Sequence, residues 1–445
     1  MDVLFLEIDT ESTWAVASLG PAFLASYLRA AGHSVRFLRV PLEWDADRVV
    51  EQVRTIQPGL IGLSLTTRQW LRARGLVEQI RHHHDIPVVT GGLHPTFSPE
   101  DVLAAPGFDY VCLGEGETAL LDLVRFLKTG GKPSDVRIPN IWGKGGPRPA
   151  LRAPFEPLDD LPFMARDLLD ERYGVVHVST QRGCPFKCTY CAARMYNELY
   201  ADTGDYGRRR SLANVIQELH EIKARGPLNY VIFLDDTFTI NHPWVHQFCD
   251  GYGEQLGVPF SLHARVETVN AKLLQRLARA GCRHITYGVE SGSDRLRREV
   301  MRRPVSNQRF VDVFQWTRDA GILVTANYMM GLPTETPAEM AETVTLHHRL
   351  EPDDFGFFVF YPYPGTHLHR YCIEHGYLGA DHLDQPANHR TSVLTLPTLT
   401  PADIDAGYET WTVVRTASAL RRSGPLSEVG HRAVVEQIEH CATAG

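Results

Sequence analysis

The 445-residue chain has no apolar run that approaches the length of a membrane span. It has no basic region followed by a long apolar stretch at its start, which reads MDVLFLE, so a secretory signal is not expected. It has no long block of like charge. Lys and Arg are interspersed among Asp and Glu, the formal net charge is -8, and the short Arg208-Arg209-Arg210 run precedes a helix start. That pattern speaks against a nucleic-acid partner. Cysteine is also scarce, with eight in the chain, too few for a disulfide scaffold at this length. Three of the eight, Cys184, Cys188 and Cys191, nevertheless fall within eight residues. Such crowding is a ligand pattern, and it suits a reducing, cytoplasmic compartment. With 43% apolar residues the chain can bury a sizeable core, and its length suggests two or three domains.

Residues 1–135 alternate short apolar runs with longer helical patterns. Strands are expected at 3–6, 34–40, 60–65, 87–90 and 110–113, with helices at 21–30, 45–53 and 69–81 between them. This order predicts an α/β domain, a Rossmann-like parallel sheet with helices on both faces. Ligands of such sheets sit outside the carboxyl ends of the strands. Three strand ends look made for close approach: Ser64-Leu65-Thr66-Thr67, Gly91-Gly92-Leu93-His94-Pro95-Thr96 and Gly114-Glu115-Gly116-Glu117. Glycines let backbone run beside a bulky ligand, and hydroxyls offer small donors. Ordinary tight turns explain the same residues equally well. No GxGxxG follows the first strand, so a dinucleotide fingerprint is absent.

Residues 136–172, with many Pro, Gly and Arg, read as a linker. A strand at 175–179 then feeds directly into Gln181-Arg182-Gly183-Cys184-Pro185-Phe186-Lys187-Cys188-Thr189-Tyr190-Cys191. The spacing is Cys-x3-Cys-x2-Cys. A cubane cluster needs thiolates from several directions around one compact body, and three close cysteines leave a fourth iron open. A zinc site would want a fourth Cys or His nearby. His177 lies within the preceding strand, and Cys249, Cys282 and Cys372 are distant in sequence. Further strands are expected at 230–234, 260–264, 284–289, 323–328 and 356–359, separated by amphipathic helices such as 211–224 and 270–280. Together, 173–370 predict a partial (β/α)6 barrel, whose chemistry gathers at the carboxyl ends of its strands. Residues 371–445 are expected to form a helical extension, with helices after Thr400 and near Ala433.

The three-cysteine loop and the polar strand ends after it resemble the radical S-adenosylmethionine (SAM) superfamily. The first domain resembles the cobalamin-binding domain found ahead of many such barrels, through residues 18–28 and the three loops above. The Asp-x-His-x-x-Gly signature of other cobalamin proteins is absent, and Arg68 and Trp70 stand close to one of the loops. The resemblance implies a [4Fe-4S] cluster on Cys184, Cys188 and Cys191, with SAM chelating the open iron. It implies that Phe186 and Tyr190 flank the adenine, although core packing suits both equally well. It implies that Glu290 and Ser291 contact the ribose or methionine portion of SAM, and that Arg265 faces its carboxylate. Gly331 and Pro333 would line the adenosyl end. Asp235 and Asp236 would hold SAM or substrate, with helix capping the plainer role for Asp236. Ser64, Thr67, Gly91, Gly92 and Gly114 would contact cobalamin.

Tyr328, Tyr361 and Tyr363, with Asp235, are the candidate catalytic groups. The tyrosines would return a hydrogen or proton to product, or simply pack. The expected partners are a small-molecule substrate and an external one-electron reductant such as flavodoxin or ferredoxin. With cobalamin bound, the implied reaction is methylation of an unactivated carbon. The alternative resembles the radical diol dehydratases of aminoglycoside biosynthesis, which keep a similar first domain, need no cobalamin and remove water from an amino sugar.

Overall fold

The computed structural model describes residues 1–10, 19–169 and 171–422. The first sheet contains β1 (Asp2–Ile8), β2 (Ser34–Val40), β3 (Leu60–Ser64), β4 (Val88–Gly91), β5 (Tyr110–Cys112) and β6 (Ile141–Gly143). They lie in the order β2-β1-β3-β4-β5-β6. The first five strands are parallel, and β6 pairs antiparallel with β5. The sixth strand is a departure from the sequence expectation. It comes from the segment read as a linker, where three residues satisfy an otherwise open edge.

The intervening helices are α1 (Leu19–Ala30), α2 (Ala46–Ile56), α3 (Thr67–His83), α4 (Leu93–Phe97), α5 (Pro99–Ala104) and α6 (Glu117–Lys128). Strand residues facing one way, such as Val3 and Phe5, pack with Ala25, Leu28 and Leu123 of α1 and α6. Those facing the other way, such as Leu4 and Leu6, pack with Val49, Val53, Trp70 and Val77 of α2 and α3. Burial on both faces explains why the strands read as continuous apolar runs. The chain steps outward from β1 in opposite directions to β2 and β3, which opens a crevice at the carboxyl edge.

The second sheet contains β7 (Val175–Val178), β10 (Tyr230–Phe233), β11 (Phe260–Ala264), β12 (Cys282–Glu290), β13 (Leu323–Met330) and β14 (Asp354–Val359), adjacent in chain order and all parallel. Its two ends do not pair, so the barrel is partial. Between β7 and β10 a small antiparallel ribbon joins β8 (Gln181–Arg182) to β9 (Arg208–Arg209). The helices are α7 (Ala192–Leu199), α8 (Leu212–Arg225), α9 (His242–Gln255), α10 (Ala271–Ala280), α11 (Asn307–Asp319), α12 (Pro337–Leu350), α13 (His367–Glu374) and α14 (Pro401–Arg422).

Their limits follow local chemistry. Asn270 caps α10 by accepting from the Leu273 amide, and Gly281 ends it in the left-handed region. Thr336 and Glu339 form a reciprocal cap on α12. Along β12, Ile285, Tyr287 and Val289 are buried against the helices, while His284, Thr286, Gly288 and Glu290 face the opposite side. Among the described residues no helix is long and apolar enough to cross a membrane. The helix expected near Ala433 falls outside the described residues.

Candidate functional site

The three-cysteine loop is held to the barrel by a buried carboxylate. Asp235, just beyond β10, accepts from the amides of Thr180 at 2.7 Å and Gln181 at 3.0 Å, and from the Thr180 hydroxyl at 2.5 Å. The Ser179 hydroxyl also donates to it at 3.3 Å. Burial pushes the Asp235 carboxyl up, while these donors and Arg209 oppose the push. Asp235 thus fastens the strand entering the loop and has no free face for SAM or substrate. Gly183 turns the chain with a φ of 83°, and a Cβ there would meet the Tyr206 carbonyl at 2.9 Å. Asn197 donates to the Cys184 carbonyl at 2.7 Å, and Thr189 donates its amide to the Met301 carbonyl and its hydroxyl to the Val300 carbonyl.

Cys184, Cys188 and Cys191 line one cavity of about 220 Å³ at the carboxyl ends of β10 to β13. Cys191 stands at the N-cap of α7, where unpaired amides favour negative charge. The Phe186 amide donates to Cys184 and the Ala193 amide to Cys191. Burial pushes the Cys191 thiol up to about 12, so a charge partner is needed for it to become thiolate. Among the described residues no three His, Cys, Asp or Glu side chains close on a point sized for a single ion. The three thiols share the wall of this wider cavity.

The other walls carry paired charges. Arg265 donates to Cys188 Sγ at 3.0 Å, lies 3.8 Å over the Phe186 ring and pairs with Glu267 at 2.5 Å. Buried Arg303 reaches Glu267 and Glu290, each at 3.5 Å. Burial pushes the Glu290 carboxyl up, and Arg303 acts against it. Burial also opposes ionisation of Glu267, yet Arg303 and Arg265 hold its carboxyl below the usual range. Glu290 has a φ of 71° at a register shift in the β12–β13 pairing. Its carboxylate lies over Gly288, where a Cβ would come within 2.2 Å of Oε1. Strained backbone of this kind collects at sites that aim a side chain.

Eight residues singled out from sequence therefore meet here: the three cysteines, Phe186, Tyr190, Asp236, Arg265 and Glu290. Others do not. Ser291 is fully buried and accepts from the Ser293 amide at 3.1 Å. Gly331 packs against Ile404 and Val359, and Pro333 is buried outside the cavity lining. The Tyr328 hydroxyl meets His347 Nδ1 at 3.1 Å, and its ring stacks on Trp411. Tyr361 reaches toward the His382 carbonyl and Tyr363 toward His389. Conversely, Arg303, His263, Thr286 and Asn327 line the cavity without having been singled out. Strand alternation was the available signal for the last three, because Thr286 and Glu290 share one face of β12 and His263 pairs in register with Thr286.

A second cavity, of about 280 Å³, opens at the carboxyl edge of the first sheet. Gly20, Ser64, Gly91, Gly92 and Gly114 line it, while Thr67 is buried as the first residue of α3. A Cβ at Gly20 would touch only Ser64 Oγ, at 3.8 Å, so this glycine keeps the slot open. Gly114 has a different reason, since a Cβ there would come within 2.1 Å of the Tyr200 hydroxyl. Trp70 does not enter the slot; it is buried against His94 and Phe108. The catalytic domain supplies the far wall through Ser179, Arg182, Tyr196 and Tyr206.

The profile of the radical SAM superfamily matches residues 178–347, which hold the cysteine loop and most of the barrel. Residues 178–347 therefore form a radical SAM domain. A B12 binding domain profile matches residues 13–124 of the same chain. It is similar to an uncharacterised methyltransferase of Pyrococcus horikoshii, 28% identical over 375 residues, covering 81% of this chain and 79% of the relative. It is also similar to the anaerobic magnesium-protoporphyrin IX monomethyl ester cyclase of Rubrivivax gelatinosus, 27% identical over 392 residues, 83% of this chain and 69% of that one. Its fold resembles the cobalamin-dependent SAM radical enzyme OxsB with aqua-cobalamin bound, with a TM-score of 0.71 at 16% identity, covering 99% of this chain and 71% of that one.

Proposed function

We propose that this radical SAM enzyme holds a [4Fe-4S] cluster on Cys184, Cys188 and Cys191, cleaves SAM reductively and abstracts hydrogen from a small-molecule substrate, with cobalamin in the first domain directing the outcome to C-methylation. The observation that carries the reading is the shared cavity. It joins three thiols, the Phe186 ring, Arg265, Arg303 and Glu290 at the carboxyl ends of barrel strands, with Glu267 paired to both arginines. When bound, the cluster supplies the electron that breaks the SAM sulfonium, SAM supplies the hydrogen-abstracting radical, and cobalamin supplies the methyl group. The electron comes from an external donor such as flavodoxin or ferredoxin.

The chain's own residues bind and shield. Arg265 and Arg303 offer guanidinium donors to the SAM carboxylate, and Glu290 accepts from its ammonium or ribose hydroxyls. Phe186 supplies a flat apolar flank. His263, Thr286 and Asn327 offer neutral hydrogen-bonding groups deeper in the barrel. Burial of this site keeps water from a reactive radical. Cobalamin fits in part: the slot kept open by Gly20, Ser64 and Gly91 suits the nucleotide tail. Similarity to the Pyrococcus methyltransferase supports methylation, and likeness of fold to the cobalamin-dependent OxsB supports the cofactor.

A second reading is favoured by the slot's size. At about 280 Å³ it is far smaller than a whole corrinoid, and Arg182, Tyr196 and Tyr206 close its barrel side. Without cobalamin the reaction would be dehydration of a diol, and Asp236, Glu267 and Glu290 would suit an aminated sugar. Incubation with hydroxocobalamin, desalting and an absorption spectrum separate the two, followed by product mass with methyl-labelled SAM. Retained corrinoid and a product heavier by one labelled methyl support methylation. No corrinoid, with turnover that loses one water, supports dehydration.

A further inference from the structure

Among the described residues, Arg265 is the cation that donates to a thiol of the three-cysteine loop. Its Nη1 donates to Cys188 Sγ at 3.0 Å. The guanidinium cannot drift, because Glu267 holds Nε and Nη2 while Phe186 lies beneath its plane at 3.8 Å. A guanidinium stays charged at every accessible pH. Hydrogen bonds and net charge around cluster sulfurs are among the factors that set cluster potential.

We propose that Arg265 sets the reduction potential of the cluster by a charged hydrogen bond to the Cys188 thiolate. The inference rests on the reading that the three cysteines hold a [4Fe-4S] cluster. One electron enters from an external donor, no bond to protein forms or breaks, and the cluster gains one negative charge. A fixed cation beside one of its sulfurs favours that reduced form and raises the potential. Five ionisable side chains bear on this point. Arg265 and Arg303 face Glu267 and Glu290, Asp236 lines the same cavity, and Arg265 donates directly to the sulfur. Removing Arg265 makes these surroundings more negative, and removing the Glu267 charge makes them less negative. The two changes therefore shift the potential in opposite directions. Arg265 has donors to spare, so the same side chain can meet the SAM carboxylate as well.

The test is a potentiometric titration of the reconstituted holoenzyme without SAM, followed by the spectrum of the reduced cluster. At a fixed applied potential, Arg265→Gln should lower the reduced-to-oxidised ratio by about tenfold, which is about 59 mV for a one-electron couple. Arg265→Lys should stay within about threefold of wild type, and Glu267→Gln should raise the ratio. Titration curves of Arg265→Gln and Glu267→Gln that both overlay wild type would overturn the proposal and leave Arg265 as a SAM ligand only. If Arg265→Gln loses its iron, Glu267→Gln decides alone, and an unshifted curve overturns it. A wild-type protein that takes up no cluster defeats the underlying reading instead.

Discussion

Arg182, inside the loop strand β8, donates to Glu115 Oε1 of the first domain at 2.7 Å. The same guanidinium reaches Glu117, and Arg208 of β9 reaches Glu115 at 2.5 Å. Tyr200 adds a neutral tie by accepting from the Glu115 amide at 2.7 Å. The strand that leads to Cys184 is therefore fastened to the first sheet's ligand edge by buried charge.

Glu115→Gln should weaken that junction. Removing one partner of a buried ion pair leaves the others uncompensated, at a cost of about 3 kcal/mol. Denaturant unfolding should show a lower midpoint. A midpoint equal to wild type would mean that the network adds no stability.

Asp235→Asn should loosen the cysteine loop. An amide group in place of the carboxylate sets donors against the Thr180 and Gln181 amides, and lost charged hydrogen bonds cost about 2 kcal/mol. The expected result is poorer iron retention after reconstitution and desalting. Full iron content in this variant would remove Asp235 from the loop's support.

Glu290 and Ser291 are neighbours with opposite surroundings. Glu290→Ala should weaken SAM binding by about tenfold, on the order of 1.4 kcal/mol. Ser291→Ala should leave SAM affinity unchanged and lower thermal stability instead. Isothermal titration with SAM and thermal melts measure both. Equal losses of affinity in the two variants would contradict this division.

His94 is buried against Trp70 with neither ring nitrogen hydrogen-bonded, and burial holds its pKa down to about 4. Its ordinary value is about 6.5. The unfolded chain therefore takes up a proton as pH falls below about 6.5, whereas the folded chain waits until about 4. His94's contribution to stability is full above about 6.5 and is lost toward pH 4, by up to about 1.4 kcal/mol per pH unit. Denaturant unfolding between those limits should show this slope, reduced in His94→Phe. An unchanged slope would place the titration on other groups, such as His369, which burial also holds at about 4.

The cysteine loop was legible because its ligand spacing is local, and most strands were legible because burial on both faces leaves apolar runs. The short β6 was hidden among turn residues, with only Ile141-Trp142-Gly143 to mark it. Side-chain direction was harder to read. Asn327 lines the cavity while Tyr328, one residue on, lies in the helix-facing core. A step of one residue along a strand reverses the face, so a strand end alone does not say which neighbour meets the ligand. Arg303 follows a π-helical turn at Leu296–Val300, and no periodic pattern of helix or strand points to it.

The most direct test of the account is SAM cleavage by anaerobically reconstituted protein. With a strong reductant, wild type should hold about four irons per chain and convert SAM to methionine and 5'-deoxyadenosine. Cys191→Ala should form no 5'-deoxyadenosine. A wild-type protein that binds one zinc, takes up no cluster and leaves SAM intact would contradict it.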